Sequence, residues 1–241
     1  MNLGYACINT ALSANKIFTN RTMRRKTFDA NGEDYVSDLA LANIKDLKTI
    51  VQWNNEMKIK LFRLSSQIFP WSDEYDVKTL KDYDEIASRM REIGQIAKDG
   101  GQRLTMHPGP YNCLASPTQK VVEKTIRELN FHSEQFNMMG YDPSPYNKIN
   151  IHVGGAYGDK KGTLDAFCHN FKLLNEDTKK RLVIENDDSP NEYSVNDLYW
   201  GIHKRIGIPI TFDYFHHKFN TGTLTEEEAL RMAATTWPKG I

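Results

Sequence analysis

Short apolar runs alternate along this chain with longer segments whose apolar positions recur at helical spacing. Runs of strand type fall at Leu3–Ile8, Leu61–Ser65, Arg103–His107, Ile149–Val153, Leu182–Glu185 and Pro209–Tyr214. Helices are predicted between and after them, at Val36–Met57, Leu80–Lys98, Thr118–Met139, Leu164–Leu174, Ser194–Arg205 and Thr225–Ala234. Val121, Ile126, Leu129 and Phe136 illustrate the repeat: they share one face of a 3.6-residue period. Punctuation agrees with the pattern. Ser194 and Thr225 stand where a helix needs an N-cap, Thr225 is followed by three glutamates, and Gly100, Gly101, Gly140 and Gly207 lie just past helix ends.

Single short strands alternating with helices imply a parallel sheet covered by helices. No Gly-rich dinucleotide fingerprint follows the first strand, where Tyr5, Ala6, Cys7, Ile8 and Asn9 stand, and no GxxxxGK[ST] loop occurs. An α/β fold of TIM type, a (β/α) barrel, is therefore expected as one domain over residues 1–241. Six βα units are visible where a complete barrel has eight, so the sequence is expected to stop about two units short.

Composition narrows the class without naming a function. Hydrophobic residues make up 39% and charged residues 26%, with 31 basic and 31 acidic side chains in balance. A polyanionic partner would have to be met by a local cluster of charge or by bound metal, since the net field is nil. Cys7, Cys113 and Cys168 are sparse and form no CxxC pair, which argues against a disulfide framework or a zinc ribbon. The start reads as a strand and not as a leader, and no apolar stretch is long enough to span a bilayer. A soluble, intracellular monomer, in cytoplasm, nucleoid or nucleus, is the expectation.

The chemistry sits where the strands stop. RLTMHP ends at His107, KINIHVGG at His152, RLVIEND at Glu185, and PITFDYFHH at Asp213 and His216. The loops at the carboxyl ends of barrel strands carry the active site, and imidazoles with carboxylates on one rim would make an N/O site for divalent transition metals. Each residue also has a plainer reading. His107, before Pro108-Gly109-Pro110, is either a ligand on a rigid turn or a satisfied core histidine. His152, before Gly154 and Gly155, is either a ligand or a structural residue in a Gly-rich loop. Glu185 is either coordinated or a capping carboxylate, while Asp187 and Asp188 are assigned to the solvated loop beyond it. Asp213 and His216, with His217 adjacent, form the strongest single motif. His132, His169 and His203 fall inside helices and read as packing or surface residues. Arg21, Arg24, Arg25 and Lys26 crowd the loop after the first strand. Such a run is usually a solvated face, but with an anionic substrate it becomes the best candidate for backbone phosphates.

These segments together resemble the UV damage endonuclease family. The resemblance rests on Leu3-Gly4-Tyr5, Asn20-Arg21-Thr22, Phe62 to Ser66, Ile68-Phe69-Pro70, Met106 to Gly109, His152 to Gly158, Glu185 to Asp188 and Asp213 to His217, in order along the whole chain. It implies a barrel related to endonuclease IV that holds up to three divalent ions, Mn2+ foremost, with Zn2+, Co2+ or Mg2+ as alternatives. The partner implied is damaged double-stranded DNA, nicked immediately 5′ of pyrimidine dimers, 6-4 photoproducts and some other lesions. Carried over by motif, His107, His152, Glu185, Asp213 and His216 are the metal ligands. Glu185, His216 and Lys160 are the catalytic candidates, and Tyr5, Asn9, Tyr111, Arg21, Arg24 and Arg25 the residues expected to touch DNA or lesion.

Three departures accompany the resemblance. Pro110 stands where the family has Gln, and Trp71-Ser72-Asp73-Glu74 follows the Phe-Pro block where a histidine is usual, leaving Asp73 as the candidate substitute. The family's remaining ligands, two His, a Glu and a modified Lys, fall beyond Ile241. Two rivals stand beside the nuclease reading. One is a xylose isomerase-like sugar isomerase or epimerase, which uses the same barrel and similar ligands. The other is a truncated fragment that binds DNA without cutting it.

Overall fold

A computed structural model describes residues 3–241. The chain divides into two compact units, Met1–His107 with Glu134–Asp142, and Pro108–Ser133 with Pro143–Ile241. The first holds β1 (Gly4–Ala6), α1 (Thr10–Ser13), α2 (Arg25–Glu56), β2 (Leu61–Leu64), α3 (Tyr83–Asp99) and β3 (Arg103–Met106). Its strands run parallel in chain order, with Tyr5 opposite Phe62 and Phe62 opposite Leu104. Phe62, Leu64, Leu104 and Met106 are fully enclosed, as are Ile44, Leu47, Ile50 and Val51 of α2 and Ile86, Met90 and Ile93 of α3. These are the apolar faces that the helical and strand periods predict.

α2 begins eleven residues before the predicted Val36. Gly32, at φ 62° and ψ −156°, interrupts the helix, so the predicted part corresponds to the stretch after the break. The earlier turn has few apolar residues and no clear period. It is held from elsewhere in the unit: Phe28 packs on Trp71, and Arg25 lies over the rings of both.

α4 (Gln119–Met138) follows, and the second unit then runs β4 (Ile149–Ile151), α5 (Lys160–Phe171), α6 (Glu176–Arg181), β5 (Leu182–Glu185), α7 (Val195–Leu198), α8 (Lys204–Ile206), β6 (Ile210–Thr211), α9 (Tyr214–Phe219) and α10 (Glu226–Ala234). β4 pairs β5, and β5 pairs β6, both parallel. Ser194 with Asp197 and Thr225 with Glu228 close reciprocal capping boxes at α7 and α10, as their sequence positions predict. The helix predicted over Ser194–Arg205 loosens into a π turn at Tyr199–His203 and ends at Gly207 in the left-handed conformation. The last predicted strand is cut short. Asp213 accepts hydrogen bonds from the amides of Phe215 and His216 and so starts α9, where the aromatic run Phe212-Asp213-Tyr214-Phe215 suggests a strand. No helix among the described residues is long and apolar enough to cross a membrane.

His132 on α4 has no exposed surface, and burial pushes its pKa down from 6.5 to about 4. Between those values the unfolded chain binds a proton that the folded chain refuses. Stability should therefore be unaffected above pH 7 and fall as pH drops from 6.5 towards 4, by about 3 kcal/mol from this group. Urea unfolding at pH 7 and pH 4.5 checks this, because His132→Gln should show the shallower decline. Equal declines would assign the acid sensitivity to other groups.

Candidate metal centre

β5 carries three fully enclosed aliphatic residues, Leu182, Val183 and Ile184, and then Glu185, only 8% exposed. A carboxylate placed there needs donors or cations around it. Asn150, on the neighbouring strand β4, donates its amide Nδ2 to Glu185 Oε2. The other oxygen, Oε1, lies 3.9 Å from His152 Nε2 and 3.7 Å from His216 Nδ1. The two imidazole centroids are 5.5 Å apart. Glu185, Asp213 and His216 each bring a donor atom within 4.8 Å of the others.

The two residues after Glu185 hold its neighbours in place. Asn186, fully enclosed, donates Nδ2 to the Asp213 carbonyl and accepts from the Asp213 amide, at 3.1 and 2.8 Å. Its own carbonyl stands 2.7 Å from His216 Nδ1. Asp187, 6% exposed, sets Oδ1 2.7 Å from His152 Nδ1, and its amide donates to the Tyr193 carbonyl. Both histidines thus meet an acceptor at Nδ1, which assigns the proton there and leaves the Nε2 lone pair for a ligand. Metal-binding histidines are characteristically oriented this way. Burial works against a charged His152, but the hydrogen bond and charge of Asp187, with Glu185 and Glu192 beyond, outweigh it and raise its pKa.

The donor set fits a divalent cation. Imidazole nitrogen and carboxylate oxygen suit Mn, Co and Zn, and the absence of thiolate disfavours soft metals. Ligands at about 2.1 Å from one ion stand about 3 to 4 Å from each other, and the 3.9 Å between His152 Nε2 and Glu185 Oε1 falls within that range.

Comparison with known proteins bears on what this centre is. The family model described as UV-endonuclease UvdE matches residues 1–241. The chain belongs to that family. A UV-damage endonuclease of Schizosaccharomyces pombe is 38% identical over 93% of this chain, which spans 37% of that protein's length. The crystal structure of SacUVDE superposes with a TM-score of 0.87 at 32% identity, covering 98% of this chain and 77% of the other. A D-psicose 3-epimerase from Clostridium cellulolyticum H10 reaches a TM-score of 0.56 at 13% identity, over 79% of this chain and 65% of its own. That likeness is one of fold, and with SacUVDE it gives this UvdE-family chain the TIM-type α/β architecture expected from its βα alternation.

Of the residues singled out in the UvdE-family sequence, His152, Glu185, Asp213 and His216 converge as described, and His107 closes β3 in the first unit. Asp187 corrects the sequence reading: it is enclosed and engaged with His152, while Asp188 is exposed as expected. Signal for Asp187 was confined to its closeness to Glu185, because its partner lies on another strand end. His217 is buried against Phe212 and takes no part in the cluster. Lys160 opens α5 and pairs with Asp197 at 3.4 Å. Tyr111 is 89% exposed.

Tyr5 lies in mid-strand, not at a strand end, with its ring on Phe62 and its hydroxyl between Asn54 and Asn9. Asn9 also caps α1 through Leu12. Arg21 is tied to Asp46 and to the carbonyls of Phe18 and Lys16, and Arg25 to Asp29 and Glu74. Arg24, just before α2, is exposed and has no ion pair among the described residues. The basic loop is therefore less open to an anion than its sequence suggests.

Proposed function

We propose that this chain is a metal-dependent endodeoxyribonuclease that cuts one strand of damaged duplex DNA immediately 5′ of pyrimidine dimers, 6-4 photoproducts and some other lesions. The observation that carries the proposal is the enclosed Glu185 carboxylate set between His152 and His216, with Asp213 beside it. His107 is proposed as a further ligand, on the ground that it follows β3 as His152 follows β4. Bound divalent ions, up to three and Mn2+ foremost, would supply a water nucleophile near neutral pH and balance charge on the attacking and leaving oxygens.

The chain's own residues have separate tasks. Asn186 and Asp187 keep the two histidines in one tautomer and one rotamer, so the donor set is arranged before substrate arrives. Lys160 has a long and partly exposed ion pair that a phosphate can replace, which makes it the proposed cation beside the scissile group. Tyr111, with its ring exposed, is the proposed lesion contact, filling the gap in a stack already weakened by damage. Arg24 is the freest of the basic residues proposed to meet the backbone. Tyr5, Asn9, Arg21 and Arg25 serve that surface mainly by holding their own loops.

The test is direct. Irradiated and unirradiated plasmid duplexes are incubated with this chain and Mn2+, and nicks are mapped. Cuts 5′ of photoproducts in irradiated DNA alone, abolished by chelator, are expected. Equal cutting of both duplexes, or cutting that persists in excess chelator, overturns the proposal.

A further inference from the structure

The loop between His152 and α5 carries a second exposed ring. Tyr157 is 58% exposed and sits at φ 49°, a left-handed backbone that disfavours a bulky residue. Non-glycine residues in that region persist only where their surroundings hold them, and they gather at ligand clamps. The Tyr157 hydroxyl lies 3.7 Å from the sulfur of Cys113, which is itself buried and donates to the Val153 carbonyl at 3.3 Å. The ring edge folds over Gly155, whose position would bring an added Cβ to 3.7 Å of Tyr157 Cε1 and Cζ. Gly154 lies so close to Cys113 that a Cβ there would stand 2.4 Å from its sulfur, so the loop backbone passes directly against the thiol. The far side of the loop is tied down by Thr163, which donates to the Ala156 carbonyl at 3.0 Å, and by Asp159, which caps α5 through Gly162.

A ring anchored by its hydroxyl tip, on a strained backbone, is poorly explained as packing, because more than half its surface gains nothing from the protein. We infer that Tyr157 is a substrate-positioning residue whose exposed ring takes a nucleobase of the DNA strand bound at the metal centre, five residues along the loop from His152. The inference rests on the nuclease reading above. Pre-fixing the ring lowers the conformational entropy lost on stacking, and an aromatic face accepts any base, damaged or not. Lys161, exposed in the first turn of α5, suits the phosphate of the same nucleotide.

Single-turnover nicking of irradiated duplex across a range of protein concentrations separates half-saturation from maximal rate. Tyr157→Gly should raise the half-saturating concentration about five- to a hundredfold, the span of one base–aromatic stack. Its melting temperature should be equal to or above that of the parent, since glycine relieves the left-handed strain. Tyr157→Phe keeps the ring but loses the hydroxyl anchor, and should saturate between the parent and Tyr157→Gly. Parent-like saturation of Tyr157→Gly, equal losses in Gly and Phe variants, or a loss matched by a fall in melting temperature would overturn the inference while leaving the nuclease reading intact. A parent chain that neither binds nor nicks irradiated DNA removes both.

Discussion

Glu185→Gln should abolish metal-dependent nicking and the thermal stabilisation that divalent ions confer, yet leave the metal-free fold at least as stable as the parent. The two halves of this result have one cause. In the absence of a cation the ionised Glu185 is a charge withdrawn from water at the end of an apolar strand, and a neutral amide of the same shape costs less there. With a cation present, the same charge is the main attraction at the centre, and its loss removes several kcal/mol of charge stabilisation from the reaction. Melting curves with and without Mn2+ read both halves, because a ligand bound only to the folded state raises the melting temperature in proportion to its affinity. A Glu185→Gln variant that still gains stability from Mn2+ like the parent would remove Glu185 from the ligand set.

Asp187→Asn should weaken divalent-ion binding about ten- to a hundredfold, the usual consequence of disturbing the partner of a metal-binding histidine. Asp188→Asn should change it little. The two aspartates are adjacent, but Asp187 is enclosed and 2.7 Å from His152 Nδ1, whereas Asp188 faces solvent. An asparagine at 187 can still accept a hydrogen bond but no longer offers the charge that favours a proton on Nδ1 and a free Nε2. Calorimetric titration of each variant with Mn2+ makes the comparison. Equal affinity losses at both positions would mean that bulk negative charge, not the orientation of His152, sets the binding strength.

The division between what could be read along the chain and what could not runs through this same loop. Leu182-Val183-Ile184 followed by a carboxylate is a strand with a functional end in any context, because three aliphatic side chains in a row demand burial and the charge must then emerge at the edge. The same logic located His152 and the pair Asp213 and His216, and the resemblance gave them a chemistry. Local chemistry also carried the caps at Ser194 and Thr225, whose partners lie three residues away.

Partners far along the chain were beyond that reach. Asp187 finds His152 thirty-five residues back, and the side chain of Asn186 grips the backbone of Asp213 twenty-seven residues ahead. No period or spacing encodes either meeting. Arg21 shows the opposite outcome, a cation that looks available in the run Arg21 to Lys26 but is taken by Asp46 on α2. Tyr5 shows a third, a ring near the start whose hydroxyl turns to Asn54 because Phe62 occupies the neighbouring strand position. By itself the sequence determined which residue types end each strand, since burial of an apolar run is a local demand on the chain. Only the tertiary structure decided which of those side chains are aimed, held or already spent, because hydrogen bonds and ion pairs form between whatever the packing of distant strands and helices brings within 3 or 4 Å.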